Sequence, residues 1–109
     1  MATGNIPSAV GMCSKLRWLL LNANRFSGAI PTAISKLTGI HILNLAGNIL
    51  NGPIPNIFES LENLAVLDLS SNKLEGKIPD SLSNLRYLRD VSLTDNQLEG
   101  GYNLASMCC

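Results

Sequence analysis

Apolar residues recur along most of this chain every 24 positions, in one register. Leu16, Ile40, Leu64 and Leu88 share one column, and Leu19, Leu43, Leu67 and Val91 a second. Leu21, Leu45, Leu69 and Leu93 form a third, followed after a polar gap by Phe26, Leu50, Leu74 and Leu98. Glycine then repeats at Gly4, Gly28, Gly52, Gly76 and Gly100, and an Ile-Pro pair at Ile6-Pro7, Ile30-Pro31, Ile54-Pro55 and Ile78-Pro79. Two further columns close the unit: Val10, Ile34, Phe58 and Leu82, then Cys13, Leu37, Leu61 and Leu85. A fixed period of this size marks a stack of like units, each covering its neighbour, rather than a globule enclosing one site.

Each column has a physical task. The Leu-x-Leu pairs at 19/21, 43/45, 67/69 and 91/93 alternate with period two, which predicts short strands with one buried face. Stacked copies place these strands side by side in a parallel sheet, about 4.8 Å apart. Asn24, Asn48, Asn72 and Asn96 sit between buried columns, so their amides are expected to bridge backbone groups of adjacent turns. Unpaired, such buried groups would cost about 1–3 kcal/mol per site. Glycine permits a tight turn, and proline suits an extended lead into the return leg. Apolar residues three apart in Asp80-Ser81-Leu82-Ser83-Asn84-Leu85 predict a short 3₁₀ or irregular turn on the outer side.

The pattern resembles the leucine-rich repeat. Asn72-Lys73-Leu74-Glu75-Gly76-Lys77-Ile78-Pro79 is the clearest copy of its plant-specific class, and the resemblance runs from Gly4 to about Gly101. It implies an α/β repeat solenoid: an arc with a parallel concave sheet of about four strands and short 3₁₀ or irregular convex segments. It also implies a second, shorter strand at the Gly-x-Ile-Pro part. The repeats divide as a partial copy 1–15, then 16–39, 40–63, 64–87 and 88–101, with a divergent tail 102–109. Proteins of this kind include ectodomains of receptor-like kinases and receptor-like proteins, and polygalacturonase-inhibiting proteins. The resemblance therefore implies a protein- or peptide-recognition module at the cell surface, with a constitutive inhibitor or scaffold, or a degenerate fragment, as the alternatives.

The pattern breaks at both ends. The strand of the first copy is missing, and Tyr102-Asn103 stands where Ile-Pro belongs in the last. The chain is expected to be a slice of a longer array. Its uncapped ends would offer Leu-lined layers and strand edges for self-association.

Residues flanking the Leu-x-Leu pairs are expected to point outward on the concave sheet. One row is Trp18, Ile42, Val66 and Asp90, the next Leu20, Asn44, Asp68 and Ser92, the third Asn22, Ala46, Ser70 and Thr94. The face grades from apolar to acidic and polar, with Arg17, His41 and Arg89 along one flank. Trp18 either anchors a ligand or covers the open end of the stack. Four strands span about 19 Å, a face of a few hundred Å², against about 800 Å² per partner in a standard protein interface.

Composition narrows the chemistry. Aromatics are 5% of the chain against 46% hydrophobic residues, so the core is aliphatic. Eight cationic and eight acidic side chains leave no net charge, unlike a nucleic-acid binder, and no polybasic run suits an anionic membrane. No apolar stretch is long enough to span a bilayer, and Met1 to Gly11 lacks the form of a signal peptide. His41 is the only histidine, so a multi-histidine metal site cannot be built in one chain. No nucleophile elbow, phosphate-cradling loop or His-Glu-x-x-His motif occurs, and the expectation is a non-enzymatic module without a cofactor. Cys13 falls in a Leu column and is expected to be buried, while Cys108 and Cys109 belong to the divergent end.

Overall fold

Each Leu-x-Leu pair starts in a three-residue strand, and each Asn follows at the bend beyond it. The structure, a computed structural model, describes residues 1–99. The decay of the last copy after Gly100 and the divergent tail 102–109, with Cys108 and Cys109, lie outside the described residues.

Two parallel sheets run along the stack. The concave sheet comprises β2 (Trp18–Leu20), β4 (Ile42–Asn44), β6 (Val66–Asp68) and β8 (Asp90–Ser92), paired in that order. The second comprises β1 (Thr3–Asn5), β3 (Arg25–Gly28), β5 (Ile49–Pro53), β7 (Lys73–Lys77) and β9 (Gln97–Glu99). The return legs are 3₁₀ turns: η1 (Ser8–Met12), η2 (Thr32–Lys36), η3 (Phe58–Ser60) and η4 (Asp80–Asn84). The second strand is not the shorter one. Its sheet has five members of three to five residues, whereas every concave strand has three.

The two sheets differ in register. Concave partners are one repeat apart, Leu19 beside Leu43 and Leu43 beside Leu67, an offset of 24. In the second sheet the offset is 22, as in Asn51 beside Lys73 and Lys77 beside Glu99. An even shear keeps every side chain on its own face. The asparagines share that offset. Oδ1 of Asn48 accepts from the Phe26 N–H at 2.9 Å, and Oδ1 of Asn72 from the Leu50 N–H at 3.0 Å. The Asn72 amide donates to the carbonyls of Leu45, Leu69 and Ser70. Leu45's carbonyl also receives the Asn48 amide, so the bonds form a continuous ladder between layers. Asn24 and Asn96 repeat the pattern at the two ends.

The core lies between the sheets and the return legs, with Leu43, Leu45, Leu67, Leu69, Leu37, Leu61 and Phe58 essentially inaccessible. Burying each such side chain contributes about 1.5–3 kcal/mol. The first layer is thinner in cover: Val10, Leu16 and Leu21 are half-buried. Cys13 is exposed, contrary to its column, because no layer of the described chain packs on that side of it. Gly11 is buried where an added Cβ would lie 2.7 Å from the Ala33 carbonyl oxygen, so glycine lets η1 sit close on η2.

The third return leg departs from the others. In repeats one, two and four the proline carbonyl accepts the first 3₁₀ bond, from Val10, Ile34 and Leu82. In the third, the Ile57 N–H bonds to Pro55, and the 3₁₀ turn begins only at Phe58. Ile57 occupies the column of Ala9, Ala33 and Ser81, and its larger side chain is buried at 5% exposure. The leg takes a different path to admit it.

Candidate functional site

The three predicted rows do lie across the concave sheet. Trp18, Ile42, Val66 and Asp90 are register partners, as are Leu20, Asn44, Asp68 and Ser92. The ladder continues past the strands: Leu21 N–H donates to Asn44, Leu45 to Asp68 and Leu69 to Ser92. Ala23, Gly47 and Ser71 then donate to Ala46, Ser70 and Thr94, which carries the third row along in step.

Exposure follows the gradient of composition. Trp18 is 63% and Leu20 55% exposed, a large apolar area on one edge of the face. Ile42, Asn44, Ala46, Val66, Asp68 and Ser70 are half-buried in the middle. Asn22, Asp90 and Thr94 are exposed, and Ser92 is half-buried with its hydroxyl 3.5 Å from that of Thr94.

Two acceptors on this face are held by short-range bonds. Oδ1 of Asp68 accepts from the Ser70 hydroxyl at 2.6 Å and from the Ser70 N–H at 3.0 Å. One repeat earlier, Oδ1 of Asn44 accepts from the Ala46 N–H at 3.0 Å. The Asx residue two places before its donor was the available sequence signal, and periodicity alone does not reveal it.

The flank forms as expected. Arg17 donates from Nη1 to the Gly39 carbonyl at 3.4 Å, and His41 Nδ1 lies 3.2 Å from the Asn63 carbonyl oxygen. Arg89 approaches Asp90 at 3.9 Å, with both side chains about three-quarters exposed. Such an exposed pair contributes little to stability. Charge is also divided along the stack. Residues 1–58 carry Lys15, Arg17, Arg25 and Lys36 and no acid, whereas all eight acidic side chains lie at Glu59 or beyond.

A separate groove of about 890 Å³ opens on the convex side, lined by Asn56, Glu59, Glu62, Asp80, Arg86 and Tyr87 among others. Within its lining the Ser81 hydroxyl donates to Asn56 Oδ1 at 2.7 Å. Among the described residues no group of three or more His, Cys, Asp or Glu is placed to hold a metal ion. No helix there is long and apolar enough to cross a membrane.

Comparison with known proteins agrees with this geometry. The leucine rich repeat family matches residues 38–98, and a second leucine rich repeat description matches residues 15–37. No curated protein sequence matches the chain with significance. Among solved structures it is similar to the ectodomain of the plant membrane receptor kinase GASSHO1/SCHENGEN3 from Arabidopsis thaliana, in complex with CASPARIAN STRIP INTEGRITY FACTOR 2. Identity there is 36% over 88% of this chain and 12% of that one, with a TM-score of 0.86. It is similar to the Arabidopsis receptor kinase HAESA in complex with the peptide hormone IDA and the co-receptor SERK1, at 34% identity. That match covers 88% of this chain and 16% of the other, with a TM-score of 0.86. A plant ice-binding protein is 41% identical over 88% of this chain and 31% of its own, with a TM-score of 0.85. The chain thus spans a small part of each of these proteins.

Proposed function

The chain belongs to the leucine-rich-repeat family, in its plant-type class, and we propose that it is a peptide-recognition segment of a receptor-like protein. On this reading it acts outside the cell or at its surface and catalyses no reaction. The concave sheet is the recognition surface. Similarity alone does not select the ligand, since receptor ectodomains and an ice-binding protein match about equally well. The observation that supports a peptide is the face itself. It joins exposed Trp18 and Leu20 to the oriented carboxylate of Asp68 across about 10 Å, which is two strand spacings. Aromatic anchors beside fixed polar groups are the usual composition of a recognition surface. A few hundred Å² suits an extended peptide better than a folded partner.

Selection of a random peptide library on the immobilised chain tests this. Enriched peptides should lose at least about tenfold in affinity, or about 1.4 kcal/mol, on Ile42→Arg and on Asp68→Arg. They should change less than about twofold on Glu59→Arg, in the convex groove, with circular dichroism confirming that all variants fold. Peptides that ignore both concave changes, or that depend on Glu59, would overturn the reading.

A further inference from the structure

We propose that the concave face selects an extended segment in which a cationic side chain lies four residues from an apolar one, on the same side of the segment. This rests on the peptide-recognition reading above and adds the ligand's chemistry. Its first support is the charge of the face. Asp68 is half-buried, and the Arg89–Asp90 contact is the ion pair formed among the described residues, leaving Asp68 with none. Ser70 holds one carboxylate oxygen of Asp68 through both its hydroxyl and its N–H. The other oxygen has no hydrogen-bond partner among the described residues. A carboxylate already oriented and partly shielded from water gains more from a ligand cation than a freely exposed one.

The second support is the spacing. Leu20 and Asp68 share a row two strand spacings apart, about 10 Å, and Trp18 and Asp90 a row three spacings apart, about 14 Å. At about 3.3 Å per residue, a segment crossing the strands covers about 13 Å in four residues, and alternation keeps side chains four apart on the same face. An apolar side chain on Trp18 or Leu20 thereby brings a long cationic side chain within reach of Asp68, with Asp90, already beside Arg89, as the further acid of the same face. The third support is the segregation of charge, with every acid in residues 59–99. That field favours the same orientation during approach.

The test uses the full 109-residue chain, labelled with ¹⁵N, and synthetic nine-residue Gly/Ser peptides. One peptide carries leucine at its third position and arginine at its seventh, and a second has glutamate in place of arginine. The arginine peptide should bind about tenfold more tightly, with shifts at the Trp18 indole and the Asp68 amide. In the double variant Asp68→Asn, Asp90→Asn the two peptides should agree to within about twofold. Equal affinities in the parent chain, with the concave amides still shifting, would overturn this inference and leave the recognition surface standing. Discrimination that survives in the double variant would overturn it too. An arginine peptide that moves no concave amide would also overturn it, while the library selection decides the broader reading independently.

Discussion

The side-chain amide of Asn72 meets the backbone N–H of Leu50, 22 residues earlier, at 3.0 Å. The same amide donates to Leu45, Leu69 and Ser70, so one side chain serves four backbone groups in two layers. Asn72→Ala leaves them unpaired in a buried place and should cost about 2–3 kcal/mol in urea unfolding. Asn72→Asp keeps the acceptor but turns an anion toward three carbonyl oxygens, so its loss should be no smaller. A change below about 0.5 kcal/mol for either variant would contradict the ladder.

The residue before each asparagine lies in the left-handed region: Ala23, Gly47, Ser71 and Asp95 have φ of 58°, 69°, 56° and 57°. Three of them bear the steric penalty of a side chain there, partly offset by the flexibility of glycine in the unfolded state. Ser71→Gly should therefore stabilise by about 0.5–1 kcal/mol, and Gly47→Ala should destabilise by a similar amount. Equilibrium denaturation gives both signs, and equal signs would refute the account.

Leu67 is 1% exposed in the central concave strand, and Trp18 in the same sheet is 63% exposed. Leu67→Asp buries a charge without a partner and should abolish cooperative unfolding. Trp18→Ala should alter stability by less than about 0.5 kcal/mol. A soluble, cooperatively folded Leu67→Asp protein, seen by circular dichroism, would show the register to be wrong.

Ile57 should matter for the convex side alone. Ile57→Ala empties a buried position and should cost about 2–4 kcal/mol. Peptide binding at the concave face should be retained under conditions where the variant is folded, and its loss there would contradict the separation of the two surfaces.

Much of this architecture is legible in the amino-acid order because repetition amplifies it. Leu43 alone could belong to a strand or a helix, but Leu19, Leu43 and Leu67 in one column beside Leu21, Leu45 and Leu69 define a strand and its buried face. The asparagine column likewise exposes its bridging role. The 22-residue offset of the second sheet is a property of the backbone path, so a 24-residue period cannot disclose it. The left-handed column is hidden because Ala23, Gly47, Ser71 and Asp95 share a conformation and no chemistry. Cys13 misleads because a column describes the middle of a stack, where each layer is covered on both sides. The concave rows follow from alternation, whereas the Asp68–Ser70 bond depends on a rotamer that alternation does not set.

The most direct measurement is a ¹⁵N amide shift map of the chain with a peptide recovered by library selection. Shifts should concentrate at Trp18, Ile42, Asn44, Val66, Asp68 and Ser92. Shifts confined to Glu59, Glu62, Arg86 and Tyr87, with the concave amides unmoved, would contradict recognition at the concave face.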